Sequence, residues 1–502
     1  IRDAQESRGL GDVYKRQGIH RAKTWQMALF ALNNTSTNLW LVLLNFVAYY
    51  LTGYVGVAVV MATSIMTFMR IWDAITDPIV GYIVDKTDGK FGKNRPFMAA
   101  GNIVLVITTF LMFFTTHHLP EEFRFIYFLV IYLIYIIGYT LQTVVTKSAQ
   151  SCLTNDPKQR PTFGIYDGIY NATLFALVPG FVAQHLVPKY GGFTAELFQE
   201  LWLYIAPVTI IFTWLAIFAL KDKDRTEFFG TGEPVKVTFR DYWDVLKNNR
   251  AIQMLVVSAS TDKLAALVTT NATVSVIIFG IICGNYKLLN TFNQYTLIPK
   301  ILIMILGVKF IAQKLGQRKA LLLGSWAGII LYGLLFGLFY VADPSTFSLP
   351  GAEGFTGLSF FTIAFLTLFI LAQGANGLAG TMVIPMTADC ADYEVYRSGR
   401  YVPGLMGTLF SAVDKIVSSF GSAFVGILCA SIGFTEQLPQ VDTPLTPELK
   451  FIGLVMFCGF VIFGYICNII AMKFYPLNKE KMEEIQSEIA RIKAETLAKQ
   501  NA

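Results

Sequence analysis

Residues 70–96 read RIWDAITDPIVGYIVDKTDGKFGKNRP and place Arg70, Asp73 and Asp77 inside a long apolar run. At helical spacing these three side chains share one stripe, about a turn apart. Two carboxylates and one guanidinium leave a net charge of −1, which one bound monovalent cation would neutralise. Pro78 donates no backbone N–H, so the carbonyl of Ala74 loses its helical partner. With the Thr76 hydroxyl, several oxygens then converge, as a hard cation requires. The competing reading is an Arg–Asp pair that pins helices together, with the second acid protonated. A second acid on the same stripe raises the electrostatic cost of that arrangement. A proton could replace the metal ion, so the stripe alone leaves Na⁺ and H⁺ open.

An ionisable group at bilayer depth is costly and is a functional candidate by default. Besides the stripe, the apolar runs hold Asp167, Asp262, Lys263, Asp414 and Lys415. No glutamate falls clearly within a run, and the four histidines sit near run ends or outside, which argues against a histidine proton relay. The six cysteines form no C-x-x-C pair. No phosphate-binding G-x-x-x-x-G-K-[ST] loop is present, and no nucleophile–base pattern. The sequence therefore predicts neither an enzyme nor a bound cofactor.

The elements that position these groups are long and apolar. Of 502 residues, 54% are hydrophobic and 15% charged, where a soluble chain carries about a quarter charged. The runs predict an all-α membrane protein of twelve transmembrane helices, near 27–51, 57–84, 97–116, 125–149, 162–187, 201–220, 251–280, 291–313, 320–341, 359–386, 404–433 and 450–474. Lysine and arginine concentrate in the loops after helices 2, 4, 6, 8 and 10 (Lys90, Lys93, Arg95, Lys158, Arg160, Lys221, Lys223, Lys314, Arg318 and Arg397 among them). The opposite loops hold only Arg124, Lys189, Lys287 and Lys450. The positive-inside rule then puts both termini in the cytoplasm. A polar connector at 221–250, with a short amphipathic piece around TFRDYWDVLK, separates an N-terminal six-helix half (20–220) from a C-terminal one (251–476). Two parallel halves around a central cavity are expected. Residues 1–19 are expected to be a non-native or disordered leader. The tail, 477–502, reads as an amphipathic helix with Ile485, Ile489 and Ile492 on one face; a membrane-surface or solvated position is expected. The net charge of +6, without basic clusters carrying interleaved aromatics, gives no sign of a nucleic-acid partner.

Over 20–476 the chain resembles the glycoside–pentoside–hexuronide:cation symporter family, the melibiose-permease-like branch of the major facilitator superfamily. The resemblance rests on RIWDAITDPIVGYIVDKTDGKFGKNRP, on MTADCADYEVYRSGRYVPG at 386–404, and on LFSAVDKIVSSFG after it. It implies the major facilitator fold in two six-helix halves. It implies Asp73 and Asp77 as coupling-cation carboxylates, and Thr140, in GYTLQ, as a further cation ligand. Thr76 stands where the melibiose permease has asparagine. Arg70 is the family's neighbouring arginine. Lys415 matches a helix 11 lysine between cation and sugar sites. Thr37 and Thr143 stand where the melibiose permease holds its sugar with aspartates. Lys147 replaces a helix 4 tryptophan, and Asp167 lies near the place of a helix 5 arginine. Ser411 and Asp414, in the helix 11 segment, complete the substrate-site candidates. A lysine gained and two acids lost would favour an anionic sugar; a snorkelling Lys147 would serve only the interface.

The function expected is secondary active import of a glycoside, oligosaccharide or sugar acid with Na⁺ or H⁺, by a monomer in the bacterial inner membrane. Two alternatives remain at this stage: a cation-coupled carrier of an amphipathic, lipid-like substrate, and a transport-inactive membrane sensor.

Overall fold

The computed structural model describes residues 21–87, 89–154, 159–225, 247–352, 355, 357–398, 403–478, 480–485, 487–488 and 491. The leader and the amphipathic piece near 238–246 lie outside them. Twelve long helical segments follow one another. They are α1 (Thr24–Val55), α2 (Val59–Lys86), α3 (Arg95–Phe114), α4 (Glu121–Leu153), α5 (Arg160–Phe181) and α6 (Ala195–Leu220). The second set is α7 (Arg250–Thr269), α8 (Leu288–Gly307), α9 (Gln317–Val341), α10 (Phe360–Thr381, resuming as Val383–Ser398), α11 (Pro403–Ser431) and α12 (Pro447–Phe474). Ten candidate spans are long and apolar enough to cross a bilayer; α5 falls short, and α11 contributes only the shorter stretch Lys415–Ser431 among the described residues. One-turn π-helical stretches interrupt or extend several helices, at Leu51–Val55, Val182–Leu186, Val308–Ala312 and Val455–Gly459.

Helix ends follow local chemistry. Asn249 starts α7 by accepting from Ile252 N at 3.1 Å, and Thr446 starts α12 by accepting from Leu449 N at 3.2 Å. Both are N-caps that satisfy otherwise orphaned donors. In α3 and α5 a proline falls in the first turn, where its missing N–H costs nothing.

The chain divides into two compact units, 1–58 with 71–234 and 59–70 with 235–502. The first turns of α2 thus count with the second unit. Lipid tails are as apolar as leucine, so helix association in a bilayer draws on close packing and interhelical hydrogen bonds. The first unit has both. A Cβ at Gly101 would lie 2.8 Å from Gln142 Cγ and 2.9 Å from the Gly138 carbonyl, so α3 and α4 touch along their backbones. A buried polar seam ties α1 to α4 and α6. In it Asn33 Nδ2 donates to Thr146 Oγ1 (2.7 Å). Thr37 Oγ1 donates to Gln142 Oε1 (2.7 Å), and Ser36 shares a 2.8 Å bond with Thr213.

The second unit has a comparable seam among its first, third and sixth helices. Ser258 of α7 donates to Asn468 Oδ1 of α12 at 2.7 Å, and Asn468 Nδ2 reaches Ser325 of α9 at 3.4 Å and Asp262 of α7 at 2.8 Å. Gly328 lets the Tyr465 ring lie against α9, since a Cβ there would meet the ring at 2.2 Å.

Two features were not anticipated. Asp224, just past α6, is 1% exposed. It accepts from the backbone N–H of Lys93, Asn94 and Arg95 and from the Asn94 and Arg95 side chains, at 2.9–3.4 Å. It therefore anchors the α2–α3 loop at the N-terminus of α3, where a negative charge is favoured. The tail corrects an expectation. Ile485 is fully buried with Leu477, Tyr475, Met386 and Cys390, and the Tyr396 hydroxyl donates to Glu484 at 3.3 Å. Helical isoleucines suit a protein groove as well as a lipid surface, and here Ile485 packs on the second unit.

Candidate functional site

The first unit brings together three of the predicted cation ligands. Asp73 is 1% exposed on α2. Thr140, buried on α4, donates from Oγ1 to Asp73 Oδ1 at 3.0 Å. Thr76 Oγ1 lies 3.0 Å from Thr140 Oγ1 and 3.1 Å from the Asp73 carbonyl. Each hydroxyl has one proton. If Thr140 gives its proton to Asp73, its lone pairs face Thr76. If it gives it to Ile136 O, 2.9 Å away, they face the carboxylate. The cluster can therefore turn hydroxyl oxygens toward a cation or a proton toward an anion without moving a backbone. Asp77, one turn on from Asp73, is half-buried.

Arg70 lies half-buried on α2, three residues before Asp73, and Lys415 half-buried on α11; the division of the chain counts both with the second unit. The side chains of Lys147, Ser411 and Asp414 lie outside the described residues. Thr143 Oγ1 donates back to the Thr140 carbonyl at 3.2 Å. Thr37 is 0% exposed, and its hydroxyl lies within hydrogen-bonding reach of Asn33 O and Gln142 Oε1, inside the polar seam.

The other side of α1 carries polar groups that the sequence reading passed over. Asn34 Nδ2 donates to Asp167 Oδ1 at 2.7 Å, and Asn38 Nδ2 donates to Asn171 Oδ1 at 2.8 Å. All four are half-buried. Spacing of four on both α1 and α5 makes two rungs one turn apart. That matched spacing was the available signal, and neutral asparagines do not announce themselves in a search for charge. The rungs present amide N–H, amide oxygen and carboxylate groups side by side, which is the mixed donor–acceptor set that hydroxyl-rich molecules need.

Residues 34–479 match the family described as MFS/sugar transport protein. The chain belongs to this family. Similar members include the glucuronide carrier protein homolog of Escherichia coli (strain K12), 23% identical over 88% of this chain and 90% of that protein. The putative glycoside/cation symporter YagG of the same organism is 22% identical over 93% of this chain and 94% of its own length. The isoprimeverose transporter of Lactiplantibacillus pentosus is 20% identical over 90% and 88%. Among solved structures, the nucleoside transporter NupG aligns with a TM-score of 0.58 at 14% identity, covering 91% of this chain and all of that one. A structure of proton dependent oligopeptide transporters aligns with a TM-score of 0.59 at 12% identity, over 92% of this chain. The family match and these likenesses establish the major facilitator fold.

Proposed function

We propose that the protein is a secondary active symporter that imports a glycoside, oligosaccharide or sugar acid together with Na⁺ or H⁺. The observation that carries this reading is the Asp73–Thr140–Thr76 cluster, an all-oxygen site on two helices of the bilayer-crossing first unit. Relatives named as glycoside/cation symporter and glucuronide carrier support the sugar and the coupling. In this mechanism the cation binds first at Asp73 and Asp77, with Thr140 and Thr76 as neutral oxygen ligands. Its charge offsets the carboxylates, so closure no longer traps an uncompensated charge. Arg70 and Lys415 act as coupling residues that respond to loading of the cation site. The Asn34–Asp167 and Asn38–Asn171 rungs bind sugar hydroxyls, with Thr143, Ser411 and Asp414 as further contacts. Lys147 meets the carboxylate of a sugar acid. The termini lie in the cytoplasm of a bacterial inner-membrane protein that works as a monomer without cofactor, a reading the positive loops support for the termini.

The test is uptake into proteoliposomes under an imposed Na⁺ or H⁺ gradient, with a neutral glycoside and its matching glycuronide as cargo. Accumulation should follow one of the two gradients, and Asp77→Asn should abolish it while leaving the protein folded. Normal accumulation by the variant would remove Asp77 from coupling. Accumulation indifferent to both gradients would refute symport. Tighter binding of the neutral sugar, unaffected by Lys147→Gln, would refute the acid-sugar part alone.

A further inference from the structure

The second unit contains an acid that the symport mechanism above does not use. Asp262 lies on α7 with its Oδ2 accepting from Asn468 Nδ2 of α12 at 2.8 Å. Its other oxygen packs against the α12 backbone, so that a Cβ at Gly464 would stand 3.2 Å from Oδ1. Asn468 is itself fixed, taking a proton from Ser258 and giving one toward Ser325. All three of these polar partners are fully buried.

The charged and titratable groups around Asp262 can be followed element by element. From α12 come Asn468, Tyr465 and Cys467, and from α9 Ser325 and, beyond Tyr465, Tyr332. On α7 itself are Ser258, Thr261 and the exposed Lys263. Adjacent residues of a helix point about 100° apart, so Lys263 heads away. The α11 helix brings Lys415. Glu394 of α10 is engaged elsewhere, with Asn249 just before the start of α7 and with Arg397. Among the described residues Asp262 pairs with no cation. One amide N–H is poor compensation for a full negative charge at bilayer depth. A metal ion fits badly, because it needs several oxygens at about 2.3–2.6 Å and the amide N–H already points at Oδ2. A proton needs no such shell.

We propose that Asp262 is a proton-binding carboxyl of the second unit, additional to the cation stripe on α2. It takes up one proton to become a neutral acid held by Asn468, and releases it as a carboxylate that strains the α7–α12 seam. The ligand is the proton itself, and the seam of Ser258, Ser325 and Asn468 positions the acid.

The test needs neither sugar nor ion gradient, so it is independent of the transport assays. Infrared spectra of purified wild type and Asp262→Asn are compared at pH 6, where a carboxyl with the ordinary value of about 3.9 is less than about 1% protonated. Wild type should show a protonated-carboxyl carbonyl band that the variant lacks, and the band should fade as the pH is raised. Identical carboxyl regions at pH 6 would overturn the proposal, as would a band that stays unchanged to alkaline pH. Asp262→Ser, which keeps a hydroxyl and cannot ionise in this range, serves in the same comparison if the asparagine variant does not fold.

Discussion

Replacing Thr140 by valine removes one hydroxyl and nearly preserves side-chain shape. That hydroxyl lies 3.0 Å from the Asp73 carboxylate and 3.0 Å from the Thr76 hydroxyl. A hydrogen bond to a charged group contributes about 1.5–3 kcal/mol. At about 1.4 kcal/mol per tenfold, the loss of this oxygen ligand predicts a rise of about 10- to 150-fold in the Na⁺ concentration needed for half-maximal uptake by a sodium-coupled carrier. The α4 backbone should tolerate the change, because the bond to Ile136 O is an extra one onto a helical carbonyl. The assay is initial uptake of labelled sugar into proteoliposomes, titrated with Na⁺ at fixed pH and with pH at fixed Na⁺. A sodium-coupled carrier shifts on the first axis. A proton-coupled one shifts on the second, its half-maximal pH rising by about 1–2 units for the same energy, because the lost bond had favoured the ionised carboxylate. Saturating cation should restore most of the rate. An unchanged half-saturation on both axes in a well-folded variant would refute Thr140 as a ligand of the coupling ion.

Three further outcomes are expected. Lys415→Ala should leave cation binding measurable by calorimetry but remove the mutual enhancement between cation and sugar; wild-type enhancement would refute its coupling role. Gly92 has φ 88° and its Cβ would fall 2.2 Å from Asp224 Oδ2. Gly92→Ala should therefore lower the thermal midpoint in detergent by a loss of at least about 2 kcal/mol, and an unchanged midpoint would count against the Asp224 anchor. Asp389, beyond the apolar part of α10, has its carboxyl pushed up from 3.8 to about 6 by burial and then by the Asp392 charge. Its stabilising contribution is complete below 3.8 and is lost as pH rises through about 6. Asp389→Asn should flatten that slope, read as protease cleavage of the tail between pH 4.5 and 7.5, and parallel slopes would refute the assignment.

The helices were legible because bilayer thickness imposes runs of about twenty apolar residues, and every predicted span overlaps an observed helix. The stripe on α2 was legible because charge in an apolar run stands out. Thr140 was not legible from local pattern. It meets Asp73 across 67 positions of sequence, and only the family resemblance pointed there. The resemblance pointed to Thr37 and not to its neighbours on α1: Thr37 bonds to its own helix and to Gln142, while Asn34 and Asn38 reach across to α5. Asp224 looked like one of several loop acids, since nothing local signals that five donors will converge on it. Ile485 was seen as part of an amphipathic face, but periodicity does not say whether lipid, water or protein covers that face.

The one-turn widenings at Leu51–Val55, Val182–Leu186, Val308–Ala312 and Val455–Gly459 have a consequence for comparing relatives. A π turn accommodates one residue more than an α turn of the same rise. Where the helix continues past it, as α12 does past Val455–Gly459, such a turn acts as a phase shifter, turning everything beyond it by about a quarter of a revolution relative to everything before. A relative that lacks the extra residue should align with a single-position gap at these points and nowhere else in the helix. Without that gap, residues past the widening would be matched to partners facing a different neighbour. Single-residue deletions at these four places should be tolerated best, because relaxing to an α turn there keeps the hydrogen-bond ladder intact. Elsewhere in the same helices, one deleted residue would rotate polar rungs and apolar faces out of register together.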